Sequence, residues 1–112
     1  MNRDDSVYLL HVLDAAARIE TYVHGVDEEA FYDHPLIQDG VIRQTEIIGE
    51  AVKRLSEHLR NRYSYIPWRD IAAMRDKLIH EYFGVDIEKV WLTAIDDIPI
   101  LKAEIAKILQ EL

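Results

Sequence analysis

The sequence predicts an all-α protein, an antiparallel up-and-down bundle of about four main helices with short helices between them. Apolar residues recur at helical spacing through most of the chain, and no stretch alternates with the two-residue period of a strand. The connections between the apolar stripes are short, which favours antiparallel packing of neighbouring helices. The 112 residues are enough for one core, so a single domain over 1–112 is expected.

Two helices are expected before residue 36. The first has an apolar stripe, and Asp4 or Asp5 can cap its start. Gly25 follows the last stripe residue and is expected to end this helix. A short helix is predicted from Asp27, stopping before Pro35.

A long helix is predicted from about Leu36 to Arg62. Gly49 lies in its middle, where glycine costs about 1 kcal/mol relative to alanine, so it indicates close packing against another helix. The predicted inner face of this helix is formed by Val41, Thr45, Ile48, Val52, Leu55 and Leu59.

The last third of the chain predicts three more helices. Pro67 is expected to lead into a helix over Trp68–Phe83, which Gly84 ends. Asp86 can cap the next helix. Pro99 is expected to separate that helix from the last one.

Composition narrows the class of protein. With 49% hydrophobic and 30% charged residues the chain is ordinary for a globular domain, and without cysteine it has neither disulfides nor thiolate metal ligands. No signal segment opens the sequence, and no apolar run approaches the roughly 18 residues of a membrane span. We therefore expect a cytoplasmic protein that has no membrane partner.

Charge is unevenly distributed along the chain. The net formal charge of −8 argues against loose coating of nucleic acid. Residues 43–77, however, hold eight basic and five acidic residues, a formal charge of +3, so the remainder carries −11. Solvated helix faces explain this pattern, and so does a confined phosphate site; charge by itself leaves both open.

The helix that begins near Trp68 carries the side chains of chemical interest. At about 100° per residue, Arg75 lies in the centre of its apolar stripe. Because an unpaired buried guanidinium is costly, Arg75 either pairs with a buried acid or faces a cleft or subunit seam. His80 lies about 140° further around the axis and four residues after Asp76, which can contact and orient the imidazole. Tyr82 lies on the same face of this helix as Arg75. A tyrosine at such a position either packs in the core or takes part in the chemistry of the site.

These residues belong to the stretch 66–86, which reads IPWRDIAAMRDKLIHEYFGVD. It contains the motif R-x4-H-x-Y, formed by Arg75, His80 and Tyr82, with P-W before it and Y-F-G-V-D around its end. With IGEA at 48–51 and DIPIL at 97–101, the chain strongly resembles the HepT family of HEPN proteins over essentially its whole length. Asp76 is a small departure, because asparagine often follows the motif arginine in that family.

The resemblance implies an all-α homodimer, or a higher homo-oligomer, whose two motif helices line a shared cleft. It also implies metal-independent cleavage of RNA, with Arg75 and His80 as catalytic residues and Asp76 in support. Some relatives are toxins whose antitoxin, a minimal nucleotidyltransferase, attaches AMP to the motif tyrosine, here Tyr82. The implied partners are therefore an RNA substrate and a cognate nucleotidyltransferase antitoxin, and no cofactor is implied.

The chemistry suits these residue types. RNA supplies its own nucleophile, the 2′-hydroxyl. A histidine that acts as general acid or base contributes about 10²–10⁴-fold, and an arginine can bind a phosphate through a bidentate fork. None of the five histidines stands in a recognised zinc spacing, so no metal site is expected.

We therefore predict an endoribonuclease toxin of a type VII-like toxin–antitoxin pair, neutralised by AMP addition to Tyr82. The alternative is a non-catalytic helical protein that binds nucleotide or RNA as the partner of a minimal nucleotidyltransferase. Both hypotheses share the fold and the dimer. They differ in whether His80 is needed for turnover.

Other polar residues in the basic region carry weaker signals. Glu46 and Glu50 are interpreted as surface ion pairs, and a contribution of either to the site is left open. His58, Arg54 and Arg62 share one face, which could follow an RNA backbone but is more simply a solvated face.

Overall fold

Four long helices alternate with three short ones in the described part of the chain. The computed structural model describes residues 3–80 and 84–112. The helices are α1 Arg3–Val23, α2 Glu28–Tyr32, α3 Pro35–Lys53, α4 Glu57–Arg62, α5 Trp68–His80, α6 Ile87–Leu92 and α7 Ile98–Gln110, with a π-helical turn at Thr93–Asp97. Helix α1 packs on α3 and α7, and α5 packs chiefly on α3. These ranges contain no strand, and the predicted all-α bundle is confirmed.

The long helices bury their apolar stripes in one core. All six side chains predicted for the inner face of α3 and its continuation are buried. They meet the fully buried Leu9, Val12 and Ile19 of α1, while Ile105 and Ile108 close the core from α7. Full burial of each large aliphatic side chain is worth about 1.5–3 kcal/mol, so packing of these stripes holds the bundle together.

Three of the predicted helix-end signals are confirmed. Gly25 ends α1 with a φ of +72°, a left-handed conformation that favours glycine. Asp27 caps α2, since its Oδ1 accepts the N–H of Ala30 at 2.8 Å. Asp86 caps α6 in the same way, accepting the N–H of Lys89 at 3.2 Å.

The single long helix predicted over 36–62 is wrong, because the chain breaks between α3 and α4. Ser56 caps α4, and its Oγ accepts the N–H of Leu59 at 3.1 Å. Leu55 and Leu59 both stay buried across the break, so the apolar spacing continues although the helix does not. The apolar spacing therefore gave no indication of the turn between α3 and α4.

A buried carboxylate from α1 holds this break in place. Asp5 is 1% exposed, and its two oxygens accept the N–H of Ser56 at 2.7 Å and the hydroxyl of Ser56 at 2.6 Å. The sequence predicted Asp4 or Asp5 as the cap of α1, but α1 begins at Arg3, before both residues. Asp5 instead supports the cap of α4, which ties the start of α1 to the end of α3.

Pro99 does not separate the last two helices as predicted. The chain stays helical from α6 through the π-helical turn into α7, and Pro99 lies in the first turn of α7. Proline lacks a backbone N–H, and inside a continuous helix its ring crowds the carbonyl of the preceding turn. The wide π turn before it accommodates the ring without ending the helix.

Helix α5 is described as far as His80, and its predicted end at Phe83 lies outside the described residues, as does Tyr82. None of the helices in 3–80 and 84–112 combines the length and the apolar character that crossing a membrane requires.

Candidate functional site

Helices α3 and α5 approach each other closely where Gly49 faces Arg75. A Cβ built on Gly49 would lie 2.2 Å from the Cβ of Arg75, a separation that real Cβ atoms do not reach. Only glycine therefore permits this contact, and the close packing predicted from Gly49 is confirmed. The contact sets the base of the Arg75 side chain against the turn of α3 that carries Glu50.

The Arg75 guanidinium is held by two carboxylates. Its Nε forms an ion pair with Oε2 of Glu50 at 3.2 Å, and its NH1 donates a hydrogen bond to Oδ1 of Asp76 at 3.1 Å. The Arg75 side chain is 28% exposed, so its charge is only partly desolvated. The expected pairing with a buried acid is thus observed only in part, because both acids are half-exposed, and a subunit seam at Arg75 stays a prediction.

Asp76 receives a second cation on the same oxygen. The Nζ of Lys53, in the last turn of α3, donates to Oδ1 of Asp76. The Lys53 ammonium, with the Arg75 guanidinium, lowers the pKa of Asp76 below its ordinary value, so this carboxylate is ionised at neutral pH. Asp76 was expected to contact His80, but its described hydrogen bonds go to the two cations, which attract an anion more strongly than an imidazole does.

Glu50 connects a third cation to the group. Its Oε1 accepts a hydrogen bond from Nε of Arg54 at 3.2 Å, while Oε2 faces Arg75. We call the five residues Glu50, Lys53, Arg54, Arg75 and Asp76 the α3–α5 ion cluster. Three basic and two acidic side chains give it a formal charge of +1, so it favours anions within an acidic protein.

His80 lies on α5 beyond this cluster, and its side chain is exposed. It follows Arg75 by about 7.5 Å along the axis and about 140° around it, with Asp76 in between at about 100°. Asp76 Oδ1 also accepts from Lys53 of α3, so both carboxylates that hold the Arg75 guanidinium lie beside or on α3. The two predicted catalytic side chains share one helix but start about 140° apart around it, no contact between them is described, and Tyr82 lies outside the described residues.

Sequence reasoning missed Glu50 and Lys53 as members of this site. Glu50 was interpreted as a surface ion pair; it does pair with Arg54, but it also holds Arg75. The signal that could have found both residues is Gly49, because a glycine at a helix crossing places its neighbours beside the facing helix. Glu46, by contrast, pairs with Arg43 on its own helix, as expected of a surface residue.

The cluster has the chemistry of an anion site next to a proton-transfer group. The N–H groups of Arg75 that are not used by Glu50 and Asp76 can donate to a phosphate oxygen, and an exposed imidazole can give or take a proton. Within 3–80 and 84–112, no three His, Asp or Glu side chains are grouped so that they could hold a metal ion.

The fold and the cluster define the class as a small helical-bundle protein with an R-x4-H motif on one of its long helices. The profile of the family described as "Ribonuclease HepT-like" matches residues 12–108. The chain belongs to the HepT-like ribonuclease family.

Three relatives illustrate the similarity. A protein of Methanocaldococcus jannaschii named "Gamma-glutamylcyclotransferase and putative RNase" is 46% identical over 112 residues, which are 100% of this chain and 50% of that protein. A "Putative RNase" of Caldanaerobacter subterraneus is 43% identical and covers 93% of both chains. The "Probable ribonuclease HepT" of Thermococcus cleftensis is 42% identical over 96% of this chain and 98% of its own. No solved structure matches the chain significantly.

The chain therefore spans half the length of the first of these relatives and more than nine tenths of the other two.

Proposed function

We propose that this protein is an endoribonuclease that cleaves RNA with Arg75 and His80 and without a metal ion. One observation carries the proposal: α5 presents both side chains, with the Arg75 guanidinium held by Glu50 and Asp76 and the His80 imidazole exposed five residues later. The family of the chain and the names of its relatives support RNA as the substrate.

In the proposed reaction the 2′-hydroxyl of RNA attacks the adjacent phosphorus. The hydroxyl loses its proton, the bond to the 5′-oxygen of the next nucleotide breaks, and that oxygen takes up a proton. The products are a 2′,3′-cyclic phosphate and a 5′-hydroxyl. His80 transfers one of these protons, and in a two-fold dimer the second copy of His80 transfers the other. Arg75 donates to the phosphate oxygens, whose negative charge grows in the transition state.

Cleavage is expected to survive EDTA and to leave 2′,3′-cyclic phosphate ends or their hydrolysis products, because the nucleophile comes from RNA itself. The measurement is incubation of the purified protein with total RNA, with and without the chelator, followed by analysis of the cleaved ends. A His80→Ala preparation purified in parallel controls for contaminating nuclease. Activity lost on chelation and restored by magnesium or manganese contradicts the metal-independent reaction.

A second copy of the chain is proposed to cover an apolar groove beside α5. The groove has a volume of about 760 Å³ and lies between α5 and the segment from α6 to α7. Its floor is apolar, and Tyr65 and Ile100 are 64% and 66% exposed at its edge. Its rim carries both signs of charge, Lys77 and Lys89 as well as Glu104. In a two-fold dimer, such a rim can pair with itself.

The dimer is expected to dissociate when a charge is placed at this groove. Ile100→Asp should shift the sedimentation coefficient from that of a dimer to that of a monomer. The new carboxylate would lose its hydration in the interface without gaining a hydrogen-bond or ion-pair partner there. Leu36→Asp is the matched control, since Leu36 is 77% exposed but does not line the groove. A wild-type monomer at micromolar concentration, or equal effects of both variants, argues against this interface.

The physiological role that we propose is that of a toxin neutralised by AMP addition to Tyr82. The partner is a minimal nucleotidyltransferase antitoxin, and the proposal rests on the motif R-x4-H-x-Y and on the family. An attached AMP adds a phosphodiester charge and a base two residues beyond His80. That phosphate can pair with Arg75 and so compete with the RNA phosphate.

Tyr82→Phe is expected to keep cleavage, to lose all AMP incorporation, and to escape neutralisation by the partner enzyme. Mass spectrometry after co-expression measures the AMP, and cell growth measures the neutralisation. Tyr32→Phe, at an exposed tyrosine of α2, is the control and should behave as the wild type. Equal labelling of wild type and Tyr82→Phe means that the modified residue lies elsewhere.

A further inference from the structure

Two cations from different helices converge on one oxygen in the α3–α5 ion cluster. Lys53 Nζ and Arg75 NH1 both donate to Oδ1 of Asp76, the latter at 3.1 Å. All three side chains are accessible, with exposed fractions of 37% for Lys53, 28% for Arg75 and 44% for Asp76. Lys53 and Arg75 thus form an anion site that the protein's own Asp76 carboxylate occupies.

We infer that Lys53 and Arg75 together bind a phosphate of the nucleic-acid chain, and that Asp76 occupies the place of this phosphate in the free protein. The inference rests on the proposed function for RNA as the source of the phosphate. The motif contains Arg75 but not Lys53, so Lys53 is an added substrate-positioning residue. The Asp76 carboxylate is then a built-in competitor that the substrate must displace.

The chemistry of the site favours a phosphodiester over the carboxylate. Asp76 offers a single oxygen to both cations, whereas a phosphodiester has two non-bridging oxygens, one for the lysine and one for the guanidinium. Displacement leaves no orphan charge on the scaffold, because Glu50 keeps its ion pair with Arg75 and Asp76 is exposed enough to be hydrated. Glu50 thus keeps the Arg75 guanidinium in place when the phosphate displaces the Asp76 carboxylate.

Loss of the Asp76 charge is therefore expected to strengthen binding, and loss of the Lys53 charge to weaken it. The probe is a fluorescent 2′-O-methyl oligoribonucleotide, which cannot be cleaved because its nucleophile is blocked, and the readout is fluorescence anisotropy. Lys53→Gln should weaken binding about 5–10-fold and reduce the slope of log K against log salt by about 0.7, the value for one phosphate contact. Asp76→Asn should tighten binding by about 3–10-fold, since the amide keeps an acceptor oxygen without the charge.

The chain offers a matched control for both variants. Lys102 and Glu20 form another interhelical ion pair, with an Nζ to Oε1 distance of 2.7 Å and exposed fractions of 41% and 38%. Lys102→Gln and Glu20→Gln change the net charge as the site variants do, but away from the cluster. They should change affinity less than twofold, because a single distant charge is largely screened at physiological salt.

Each outcome decides the inference. Equal effects of Lys53→Gln and Lys102→Gln, weaker binding by Asp76→Asn, or no binding of the probe by the wild type would overturn it. Tighter binding by Asp76→Asn with Glu20→Gln unchanged supports it. The proposed function can fail separately. If the protein binds the probe through Lys53 but cuts no RNA, the anion site stands and the ribonuclease proposal fails. If the protein cuts RNA but does not bind the probe through Lys53, the ribonuclease proposal stands and the anion site fails.

Discussion

His80→Ala is expected to lower the rate of RNA cleavage by about 10²–10⁴-fold, the usual contribution of one general acid or base. The side chain is exposed, and the contacts described for residues 3–80 and 84–112 include no hydrogen bond to it. Its removal should therefore change the free energy of unfolding by no more than about 0.5 kcal/mol. Cleavage of a labelled RNA and thermal unfolding followed by circular dichroism measure the two quantities.

Arg75→Ala should lower cleavage by about 10²–10³-fold, as loss of a transition-state hydrogen-bond donor does. Alanine keeps the Cβ that packs against Gly49. Arg54 still pairs with Glu50, and Lys53 still pairs with Asp76, so neither carboxylate is left alone. Loss of activity can then be assigned to the guanidinium rather than to unfolding.

His24→Ala is the control for both variants, because His24 is an exposed histidine just beyond α1 and outside the ion cluster. It should cleave RNA as the wild type does. Full cleavage by folded His80→Ala removes the catalytic role and favours the alternative, a non-catalytic partner that binds RNA or nucleotide for a nucleotidyltransferase.

Gly49→Ala is expected to destabilise the protein by up to about 2 kcal/mol and to reduce cleavage as well. The added Cβ would lie 2.2 Å from the Cβ of Arg75, so α3 and α5 must move apart. Overpacking of this kind costs about 1–3 kcal/mol or more, and the better helix propensity of alanine returns about 1 kcal/mol. Because Arg75 lies at the contact, the shift also displaces the guanidinium from Glu50. Chemical denaturation and the cleavage assay are the measurements.

Gly40→Ala separates these effects within the same helix. Both glycines lie inside α3, so alanine gains similar helix propensity at each position. A Cβ on Gly40 meets only the ring of Tyr22, at 3.2 Å, and that half-buried side chain can yield by a few tenths of an ångström. Gly40→Ala should therefore be neutral or slightly stabilising and fully active. Equal stability of the two variants contradicts the close contact at Gly49.

The sequence by itself determined the features that depend on neighbours within one or two helical turns. Apolar spacing predicted the long helices and the buried face formed around Val41, Ile48 and Val52. Capping chemistry predicted the ends at Asp27 and Asp86, because a cap needs only a side chain and an N–H a few residues later. The order of residues on α5 likewise contains the motif that predicts Arg75 and His80 as the catalytic residues.

Only the tertiary structure decided the features that depend on contacts between distant parts of the chain. At the break before α4 the Asp5 carboxylate binds Ser56 from 51 positions away, a contact that the spacing of Leu55 and Leu59 could not reveal. The partners of Arg75 and Asp76 depend on how α5 is rotated against α3, an angle that no local pattern contains. Gly49 sets that crossing by letting the two backbones approach, and the approach brings Glu50 and Lys53 within reach of the motif arginine and the aspartate beside it.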